Sequence, residues 1–372
     1  MQVNYCDPDR GWRGTLAIDR IVEGAAIGGV RMTPTVHAGE VTRLARGMTL
    51  KTAALGLVVG GAKVGIEYDP ASTTRRDALL RFFEHIRPMC ESWYAFGPDM
   101  NTSSAELDEI AHTVGLTWRL GPLASAGERA QARARYDSAL ALPVGPFTVE
   151  TLRTGAGTAA AVERAAQCLG INRPLTFAVH GFGVVGSAAA WSLCQNGHRM
   201  VSVADAGGSY TNYDGIDPLA LHQKRTRRGL IDRGVLSSGV VIDVPEEVLY
   251  ADVDVLILAA TPDVITGSNV DRVKASFLVE GGNIAITTEA SQRLHEREVL
   301  VVPDYIASGG AVAMGVGVVR AGFPSDDGEA LIGHITDLIA DATERGYRAS
   351  RDRGIPMRLA ALPDLTSAIH RA

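Results

Sequence analysis

The amino-acid sequence predicts an α/β protein of two domains, an N-terminal α/β domain followed by a domain built on a doubly wound parallel sheet. Its 372 residues are too many for one small core and suit two domains of roughly 100–200 residues each. Beyond Thr154, short apolar runs alternate with helical patterns, which is typical of a parallel sheet covered by helices. The 41 glycines fall in clusters, and clustered glycine indicates tight turns or close approach of the backbone to a ligand.

The composition excludes several classes of protein. Hydrophobic residues make up 46% and charged residues 21%, so the chain has enough apolar surface to fold. A net charge of −6 argues against nucleic-acid binding, which needs a basic face. No apolar run is long enough for a membrane span, and residues 1–13 do not resemble a signal peptide. The four cysteines form no C-x-x-C pair, and we find no metal-ligand motif, so we expect a cytoplasmic chain with reduced thiols.

The N-terminal part of the chain alternates between strand and helix patterns. Residues 12–31 predict two short strands, and apolar residues at three- and four-residue spacing predict a helix over 38–57. A second helix is predicted over 75–92. The loop 96–104 ends in residues typical of a helix N-cap, so a third helix is expected at about 104–114.

A domain boundary is predicted where this pattern ends. Residues 120–147 are rich in Ala, Gly, Pro and Arg and show no sustained strand pattern. We therefore assign residues 1–145 to a first domain and 146–344 to a second. Strands are predicted at 175–180, 199–204, 253–259, 277–279 and 299–302, and helices at about 156–169, 326–350 and 356–371.

The most specific motif of the second domain is a glycine-rich turn. A strand pattern precedes it, a helix pattern follows it, and the next strand ends at Asp205. The first glycine would permit the bend, the second would let a pyrophosphate approach the helix N-terminus, and the third would allow close helix–strand packing. The alternative is a turn whose glycines serve packing alone. The predicted cofactor-binding residues of the turn are Gly181, Phe182, Gly183, Val184, Val185 and Gly186.

The acid that follows predicts which dinucleotide binds. Asp205 would accept hydrogen bonds from the ribose hydroxyls and repel a 2′-phosphate, so NAD is predicted rather than NADP. The basic residues Arg225, Arg227 and Arg228 would favour NADP if they folded back toward this site. We interpret them as a solvated helix face.

Two lysines and an aspartate flanked by glycines form a second constellation. Lys51 and Lys63 are two of only four lysines in the chain, and Asp99 follows a Gly-Pro pair. Nearby ammonium groups and desolvation both depress a lysine pKa, so one lysine can act as a general base while the other holds a carboxylate. This constellation predicts a site for a small anionic substrate, although spacing alone is equally consistent with surface charges.

Taken in order, the motifs resemble those of the glutamate/leucine/phenylalanine/valine dehydrogenase family of NAD(P)-dependent amino-acid dehydrogenases. The resemblance covers nearly the whole chain, whose length is nearer to the leucine/phenylalanine branch than to the glutamate branch. The matching segments are G-G-V-R-M at 28–32, R-G-M-T-L-K at 46–51, G-G-A-K at 60–63, G-P-D-M at 97–100, T-G-A-G-T at 154–158, E-G-G-N at 280–283 and V-P-D-Y-I-A-S-G-G at 302–310.

The resemblance implies an architecture and a reaction. The first domain would bind the substrate and form a homo-oligomer, and the segment 345–372 would complete it. A Rossmann domain would bind the nucleotide, and a cleft would lie between the two domains. The reaction would be the reversible oxidative deamination of an amino acid to a 2-oxo acid and ammonia.

The resemblance also implies residue roles. Lys51 would bind the substrate α-carboxylate, Lys63 would be the general base that activates water, and Asp99 would carry protons to and from the amino nitrogen. The remaining predicted cofactor contacts are Thr154, Ala259, Ala260 and Asn283.

Three positions depart from the family pattern. Ser308 replaces an asparagine that usually helps to hold the amino-acid head group, and Ala62 replaces the third glycine before the base lysine. Asn101 replaces a glycine, and asparagine tolerates a left-handed backbone. These departures motivate two alternatives, an enzyme of the same fold that acts on a non-proteinogenic amino acid and a catalytically silent NAD-binding paralogue.

The pocket residues predict the substrate side chain. Glutamate-specific relatives carry a lysine directly before the Gly-Gly pair, where this chain has Ile27, so a distal carboxylate would be desolvated without a partner. The pocket is apolar and roomy and favours a bulky apolar or aromatic side chain, unless its glycines serve the backbone alone. Besides Lys51, the predicted substrate-binding residues are Ile27, Gly28, Gly29, Gly97, Ser308, Val312 and Gly315.

Overall fold

The computed structural model describes residues 1–227 and 229–360 and divides them into two compact units. The first unit comprises Met1–Ala139 and Gly315–Ser325, and the second comprises Leu140–Met314 and the described residues from Asp326 onward. The division lies a few residues before the predicted boundary at 145. A helix, Arg129–Ala141, carries the chain across this point. The residue pattern of 129–141 does not predict this helix, because its polar residues spread over several faces.

The first unit contains a five-stranded sheet in the order β1-β2-β4-β3-β5. Strand β2 pairs antiparallel with β1 and β4, whereas β3 runs parallel to both β4 and β5. The strands are β1 (Gln2–Cys6), β2 (Arg13–Ile18), β3 (Ala26–Thr33), β4 (Gly60–Glu67) and β5 (Tyr94–Pro98). The first-unit helices are α1 (Ala38–Ala54), α2 (Arg75–Ser92) and α3 (Ser104–Thr113), and α4 (Arg129–Ala141) begins in this unit.

The predicted helices of the first unit are confirmed, but its two glycine-rich segments are strands. The segment 60–67 forms β4 and the start of the predicted loop 96–104 belongs to β5. Glycine is rare in strands, so sequence alone favours a loop here. The glycines are retained in β4 because neighbouring backbone leaves no room for side chains, as at Gly60, where a Cβ would overlap the carbonyl of Arg20.

The second unit contains a seven-stranded sheet in the order β11-β10-β9-β8-β12-β13-β14. The five strands from β9 to β14 in this order are parallel, and β10 and β11 extend the sheet as antiparallel strands that the sequence analysis does not predict. The parallel strands are β8 (Thr176–His180), β9 (Arg199–Asp205), β12 (Val255–Leu258), β13 (Phe277–Glu280) and β14 (Leu300–Val302). Strands β10 (Gly208–Thr211) and β11 (Val241–Asp243) follow β9, and a separate hairpin comprises β6 (Pro143–Val144) and β7 (Phe147–Thr148).

Helices cover this sheet and join its parallel strands. They are α5 (Val149–Cys168), α6 (Val184–Gln195), α7 (Pro218–Gln223), α8 (Thr288–Glu296), α9 (Asp304–Ala307), α10 (Gly310–Arg320), α11 (Gly328–Arg353) and α12 (Met357–Ala360). Helix α10 ends in the first unit. No helix of the described residues is long and apolar enough to cross a membrane.

Helix α5 begins seven residues before the predicted start at 156, so the T-G-A-G-T motif lies inside a helix. Its glycines allow close packing of neighbouring helices. A Cβ on Gly155 would overlap Ala188 of α6, and a Cβ on Gly157 would overlap Ile339 of α11. The motif is therefore a helix-packing element as well as a sequence signature.

The described part of the C-terminal segment packs with the second unit. Residues 345–353 are the last turns of α11, which lies against α5, and Arg358 of α12 binds Glu280 and Asp304. The expectation that 345–372 completes the first domain therefore does not hold for residues 345–360. An ion pair and helix packing hold these residues against the second unit, which contains the seven-stranded sheet. The rest of that segment, including most of the predicted helix 356–371, lies outside the described residues.

We predict that Gly155→Ala lowers the free energy of unfolding by about 1–3 kcal/mol, because the added methyl group overlaps Ala188 and forces the two helices apart. Gly333→Ala is the matched control, since that helical glycine has no described neighbour within 4 Å of the new methyl group. The control should be neutral or stabilising by up to about 1 kcal/mol. Urea unfolding of both variants measures the difference, and equal stability would contradict the packing role.

Candidate active site

The first unit holds a buried ion pair between two of the residues that the sequence predicts to be catalytic. The ammonium group of Lys63, on β4, contacts Oδ2 of Asp99, which follows β5. The same carboxylate oxygen accepts a hydrogen bond of 3.3 Å from Nε of Arg31 on β3. Arg31 also donates from Nη1 to Glu40 at 2.7 Å. The structure thus brings Lys63 and Asp99 together and adds an arginine to which the sequence analysis gives no role.

Two glycines at the start of β3 make this arrangement possible. A Cβ on Gly29 would lie 2.9 Å from Cβ of Asp99, too close for such a contact, and 3.0 Å from Nζ of Lys63, which is tighter than most Cβ contacts. A Cβ on Gly28 would overlap the carbonyl of Ala62 in β4. The absence of side chains at these two positions therefore lets Lys63 and Asp99 meet beside β3. Across the sheet, Gly97 of β5 pairs with Gly29.

The ion pair determines the charge state of Asp99. Burial alone would raise the pKa of the Asp99 carboxyl, but the positive charges of Lys63 and Arg31 outweigh it and hold this pKa at about 2. Backbone N–H of Asp99 donates to Oγ1 of Thr102, which fixes the turn that carries the carboxylate. Asp99 is therefore ionised at neutral pH.

Lys51 lies in the last turn of α1 and is buried. Helix α1 packs so closely on β4 that a Cβ on Gly61 would overlap the backbone of Thr49. The two predicted lysines thus belong to two packed elements of one unit. Ile27 is buried in β3.

The structure explains two of the three departures from the family pattern. Ala62 is fully buried in the core of the first unit, where its methyl group packs with apolar residues. Asn101 has a φ of +61° and donates from Nδ2 to the carbonyl of Met32 at 2.9 Å, so asparagine both adopts the left-handed backbone and anchors it. Ser308 of the second unit is buried, and its hydroxyl donates to the carbonyl of Asp304 at 2.7 Å. Val312 lies in α10, within the second unit.

The glycine-rich turn of the second unit has the geometry that a dinucleotide requires. Gly181 has a φ of +97°, a conformation that favours glycine. A Cβ on Gly186 would overlap the carbonyl of Gly181, whereas a Cβ on Gly183 would meet no described atom within 4 Å. Helix α6 begins directly after Gly183. The second glycine thus leaves open space at a helix N-terminus, where a pyrophosphate would be stabilised.

Three further predicted cofactor residues lie near this turn. A Cβ on Gly181 would be 2.6 Å from Cβ of Ala260, and a Cβ on Gly282 would be 3.3 Å from the Ala260 carbonyl. Ala259 and Ala260 follow β12, and Asn283 belongs to the segment that follows β13. The carboxyl ends of neighbouring parallel strands therefore bring these segments together, as expected for a ligand site in a parallel sheet. Thr154 lies in α5, and its carbonyl accepts a hydrogen bond from Thr158.

The prediction that the basic residues after α7 form a solvated helix face is wrong for Arg225. Arg225 does not lie on a solvated helix face. It pairs with Ile231 in a β-bridge, donates from Nη1 to the carbonyl of Phe182 at 2.6 Å and stacks on the Phe182 ring. The cation–π contact and the hydrogen bond to the carbonyl favour this folded-back position of Arg225 over full hydration. Arg227 is exposed, and Arg228 lies outside the described residues.

Asp205 is also engaged by this loop. Its Oδ1 accepts from the backbone N–H of Gly207 at 2.8 Å, and its Oδ2 accepts from that of Ile231 at 2.6 Å. Each carboxylate oxygen has a further lone pair, so hydrogen bonds to ribose hydroxyls remain possible. Arg225 and Asp205 therefore both border the predicted adenosine site with opposite charges.

A buried acid that the sequence analysis leaves without a role fixes the segment carrying Asn283. Glu280, at the end of β13, accepts from the backbone N–H of Ile286 at 2.9 Å and is paired with Arg358. Between them, Ile284 has a φ of +51°, which is strained for a β-branched residue. The E-G-G-N motif contains this acid, but the partner that satisfies it comes from α12, 78 residues further along the chain.

Comparison with known proteins identifies the family. The model for the Glu/Leu/Phe/Val dehydrogenase dimerisation domain matches residues 6–115, and the model for the Glutamate/Leucine/Phenylalanine/Valine dehydrogenase domain matches residues 145–362. The chain belongs to this family. The two-domain α/β fold and an NAD(P)-dependent amino-acid dehydrogenase are thereby confirmed, while the exact domain bounds stay a prediction.

Among similar proteins, the glutamate dehydrogenase of Thermotoga maritima is 32% identical over 308 residues, which cover 79% of this chain and 69% of that protein. The catabolic NAD-specific glutamate dehydrogenase RocG of Bacillus subtilis is 30% identical over 297 residues, covering 78% and 66%. The chain therefore spans about two thirds of the length of these relatives. A solved structure of a hetero-hexameric glutamate dehydrogenase from Thermus thermophilus, in a leucine-bound form, has a TM-score of 0.77 and 26% identity and covers 100% of this chain and 88% of that one.

The relatives leave two finer predictions open. A relative from Pyrobaculum calidifontis is described as NADP-dependent and that from Bacillus subtilis as NAD-specific, so the family alone does not decide the nucleotide. These relatives are glutamate dehydrogenases, and assignment to the leucine/phenylalanine branch stays a prediction. The site residues likewise stay predictions.

We predict that Glu280→Gln changes how stability depends on pH. Burial raises the pKa of Glu280 to about 7, although Arg358 opposes the shift. Because this value exceeds the ordinary 4.5, the contribution of Glu280 is fully present below pH 4.5 and is lost as the pH rises through about 7. Urea unfolding between pH 5 and 8 should show a steeper loss in the wild type than in the variant. Glu296→Gln is the exposed control, and identical slopes for wild type and Glu280→Gln would contradict the effect.

We predict that Asp205→Asn shifts cofactor preference toward NADP. The amide keeps one acceptor oxygen for the loop but removes the charge that repels a 2′-phosphate. The ratio of kcat/KM with NAD to that with NADP should fall about tenfold, which corresponds to about 1.4 kcal/mol. Asp214→Asn, at an exposed acid of the same unit, should leave the ratio unchanged. An equal loss with both nucleotides would mean that Asp205 only supports the loop.

Proposed function

We propose that the protein catalyses the reversible NAD-dependent oxidative deamination of an apolar or aromatic L-amino acid to its 2-oxo acid and ammonia. The observation that carries this proposal is the buried Lys63–Asp99 pair beside the side-chain-free Gly29, in a chain that has Ile27 where glutamate-specific relatives have lysine. Paired groups of opposite charge at a glycine-lined position suit a zwitterionic substrate, since each can bind or exchange protons with one end of it.

The residues of the first unit divide the proton chemistry among them. Lys51 binds the α-carboxylate by charge. Asp99, held ionised by Lys63 and Arg31, accepts a proton from the substrate ammonium group so that the nitrogen lone pair can assist loss of hydride from Cα. Lys63 then acts in its neutral amine form, after releasing its own ammonium proton to solvent, as general base toward the water that attacks the imino carbon. In the reverse direction the same groups return these protons.

The second unit provides the groups that would hold the nucleotide. The helix N-terminus at Gly183 would bind the pyrophosphate, Asp205 would bind the ribose, and Thr154 and Asn283 would contact the nicotinamide. When bound, NAD supplies the hydride acceptor at its nicotinamide ring. We propose NAD rather than NADP because of the negative charge of Asp205, with Arg225 as the residue that would moderate this preference.

The amino-acid side chain is proposed to be apolar or aromatic because of what surrounds it. Ile27 offers no charge to a distal carboxylate, and burying such a group without a partner is costly. Gly97 and Gly315 leave space, since a Cβ on either would make only one contact, near 4 Å, with the described residues. Unlike the relatives described as glutamate dehydrogenases, this chain is therefore not expected to prefer glutamate.

A second candidate is an enzyme of the same reaction type that acts on a non-proteinogenic amino acid. Ser308 favours it, because this shorter residue directs its hydroxyl to the Asp304 carbonyl of its own helix. The head group of the substrate would then be held differently from that of a standard amino acid. We also propose a homo-oligomer, since residues 6–115 match the dimerisation-domain model of the family.

The test is a spectrophotometric screen at 340 nm with NADH or NADPH, ammonia and aliphatic, aromatic and dicarboxylic 2-oxo acids. We expect ammonia-dependent oxidation of NADH with apolar or aromatic 2-oxo acids. Silence across the panel, with NADH binding still detectable by fluorescence, would favour the unusual-substrate candidate. Oxidation with 2-oxoglutarate alone would contradict the side-chain assignment.

We predict that Lys63→Ala lowers kcat by roughly 10²–10⁴-fold, the usual contribution of a general base, while NADH binding is retained. Lys274→Ala, at an exposed lysine of the second unit, is the control and should keep wild-type activity. Circular dichroism checks that both variants fold. Activity of Lys63→Ala within tenfold of the wild type would contradict its assigned role.

A further inference from the structure

Two glycines that the sequence places in the side-chain pocket border the same pair of residues in the first unit. A Cβ on Gly97 would lie 4.0 Å from Nη1 of Arg119 and a Cβ on Gly315 would lie 3.9 Å from Cε2 of Tyr136. Neither would meet another described atom within 4 Å. Gly97 and Gly315 are more than two hundred residues apart, so their convergence on one pair of side chains is a property of the fold.

The side chains of Arg119 and Tyr136 stack on each other. The guanidinium carbon of Arg119 lies 5.6 Å from the centre of the Tyr136 ring, within cation–π range. Trp118 extends the pair, with its ring centre 5.9 Å from that of Tyr136 in an edge-on arrangement. All three side chains are buried. A side chain at Gly97 would thus contact the cationic Arg119, and a side chain at Gly315 would contact the aromatic ring of Tyr136.

The charge of Arg119 is already compensated. Its Nε donates to Oδ1 of Asp108 at 2.9 Å and its Nη1 donates to the carbonyl of Phe96 at 3.2 Å. Burial opposes the charge, but Tyr136 and Asp108 outweigh it and raise the pKa of Arg119. Arg119 is thus a fixed cation with an anionic partner.

We propose that Arg119 and Tyr136 are specificity-determining residues that make the side-chain pocket select an aromatic amino acid. This inference rests on the proposed function and narrows its substrate class. An aromatic ring gains from the π-face of Tyr136 and from the cationic Arg119 without needing a free N–H donor. A second carboxylate would face a pair that is already neutral, and a branched aliphatic side chain would gain neither interaction.

Substitution of Tyr136 separates the ring from the hydroxyl. The measured quantity is the ratio of kcat/KM for phenylpyruvate to kcat/KM for 4-methyl-2-oxopentanoate, with NADH and ammonia. The wild type should favour the aromatic acid. Tyr136→Leu should lower the ratio roughly 2–13-fold, the equivalent of about 0.5–1.5 kcal/mol for one aromatic contact. Tyr136→Phe keeps the ring and should keep the ratio, whereas a purely structural role would lower both rates equally and leave the ratio unchanged.

Substitution of the glycines tests the space itself. Gly97→Ala and Gly315→Ala place a methyl group at ordinary contact distance, so both variants should fold. Each should raise the KM for phenylpyruvate more than that for the small 2-oxobutanoate. Gly333→Ala, a helical glycine of the second unit with open space around it, is the control and should alter neither.

The outcomes distinguish the proposal from the function on which it rests. Turnover of aliphatic 2-oxo acids without preference for aromatic ones would overturn the selectivity while the dehydrogenase function stands. Preference for 2-oxoglutarate that is lost in Arg119→Met would assign Arg119 to a distal carboxylate and also overturn it. Absence of ammonia-dependent turnover with every acid, together with no binding of phenylpyruvate to the NADH complex by calorimetry, would overturn both proposals.

Discussion

The ion pair between Lys63 and Asp99 depends on one constraint, the close approach of backbone and side chains around strand β3. Gly28 admits the carbonyl of Ala62, and Gly29 admits both Lys63 and Asp99. With a Cβ at Gly29, Asp99 or Lys63 would have to shift from its position in the pair. A buried lysine and a buried aspartate without each other would each carry a large desolvation cost. The Lys63–Asp99 ion pair therefore depends on glycine at positions 28 and 29.

The second unit uses glycine in a related way at its predicted nucleotide site. Gly181 takes a left-handed turn, Gly183 leaves open space at the start of α6, and Gly186 lets that helix pack on the strand. The neighbouring segment with Asn283 is held differently, because Glu280 accepts from Ile286 and is neutralised by Arg358 of α12. A strained Ile284 is maintained by these contacts. The end of the described chain thus supports the proposed nicotinamide site through one ion pair.

Several features of the sites were accessible to sequence reasoning and others were not. The G-x-G-x-x-G turn, Lys63 and Asp99 lie in local sequence motifs. In the structure the turn adopts the backbone that its glycines predict, and Lys63 contacts Asp99. Arg31 belongs to a motif segment, so its role was within reach of sequence analysis. Arg119 and Tyr136 carry no motif, and their proposed role depends on the position of Gly97 and Gly315 beside them. The predicted solvated position of Arg225 is wrong. A run of basic residues in the sequence does not show whether an arginine is hydrated or folded back onto a neighbour such as Phe182.

By itself the sequence determined the two-domain α/β architecture, the family and the candidate catalytic lysine and aspartate, because periodicity and ordered glycine motifs record short-range packing. The tertiary structure alone decided that β4 and β5 are strands despite their glycines, that residues 345–360 join the second unit, and that Arg119 stacks on Tyr136. These features depend on contacts between residues far apart in the chain. Their energies arise from burial and charge pairing that no local pattern encodes.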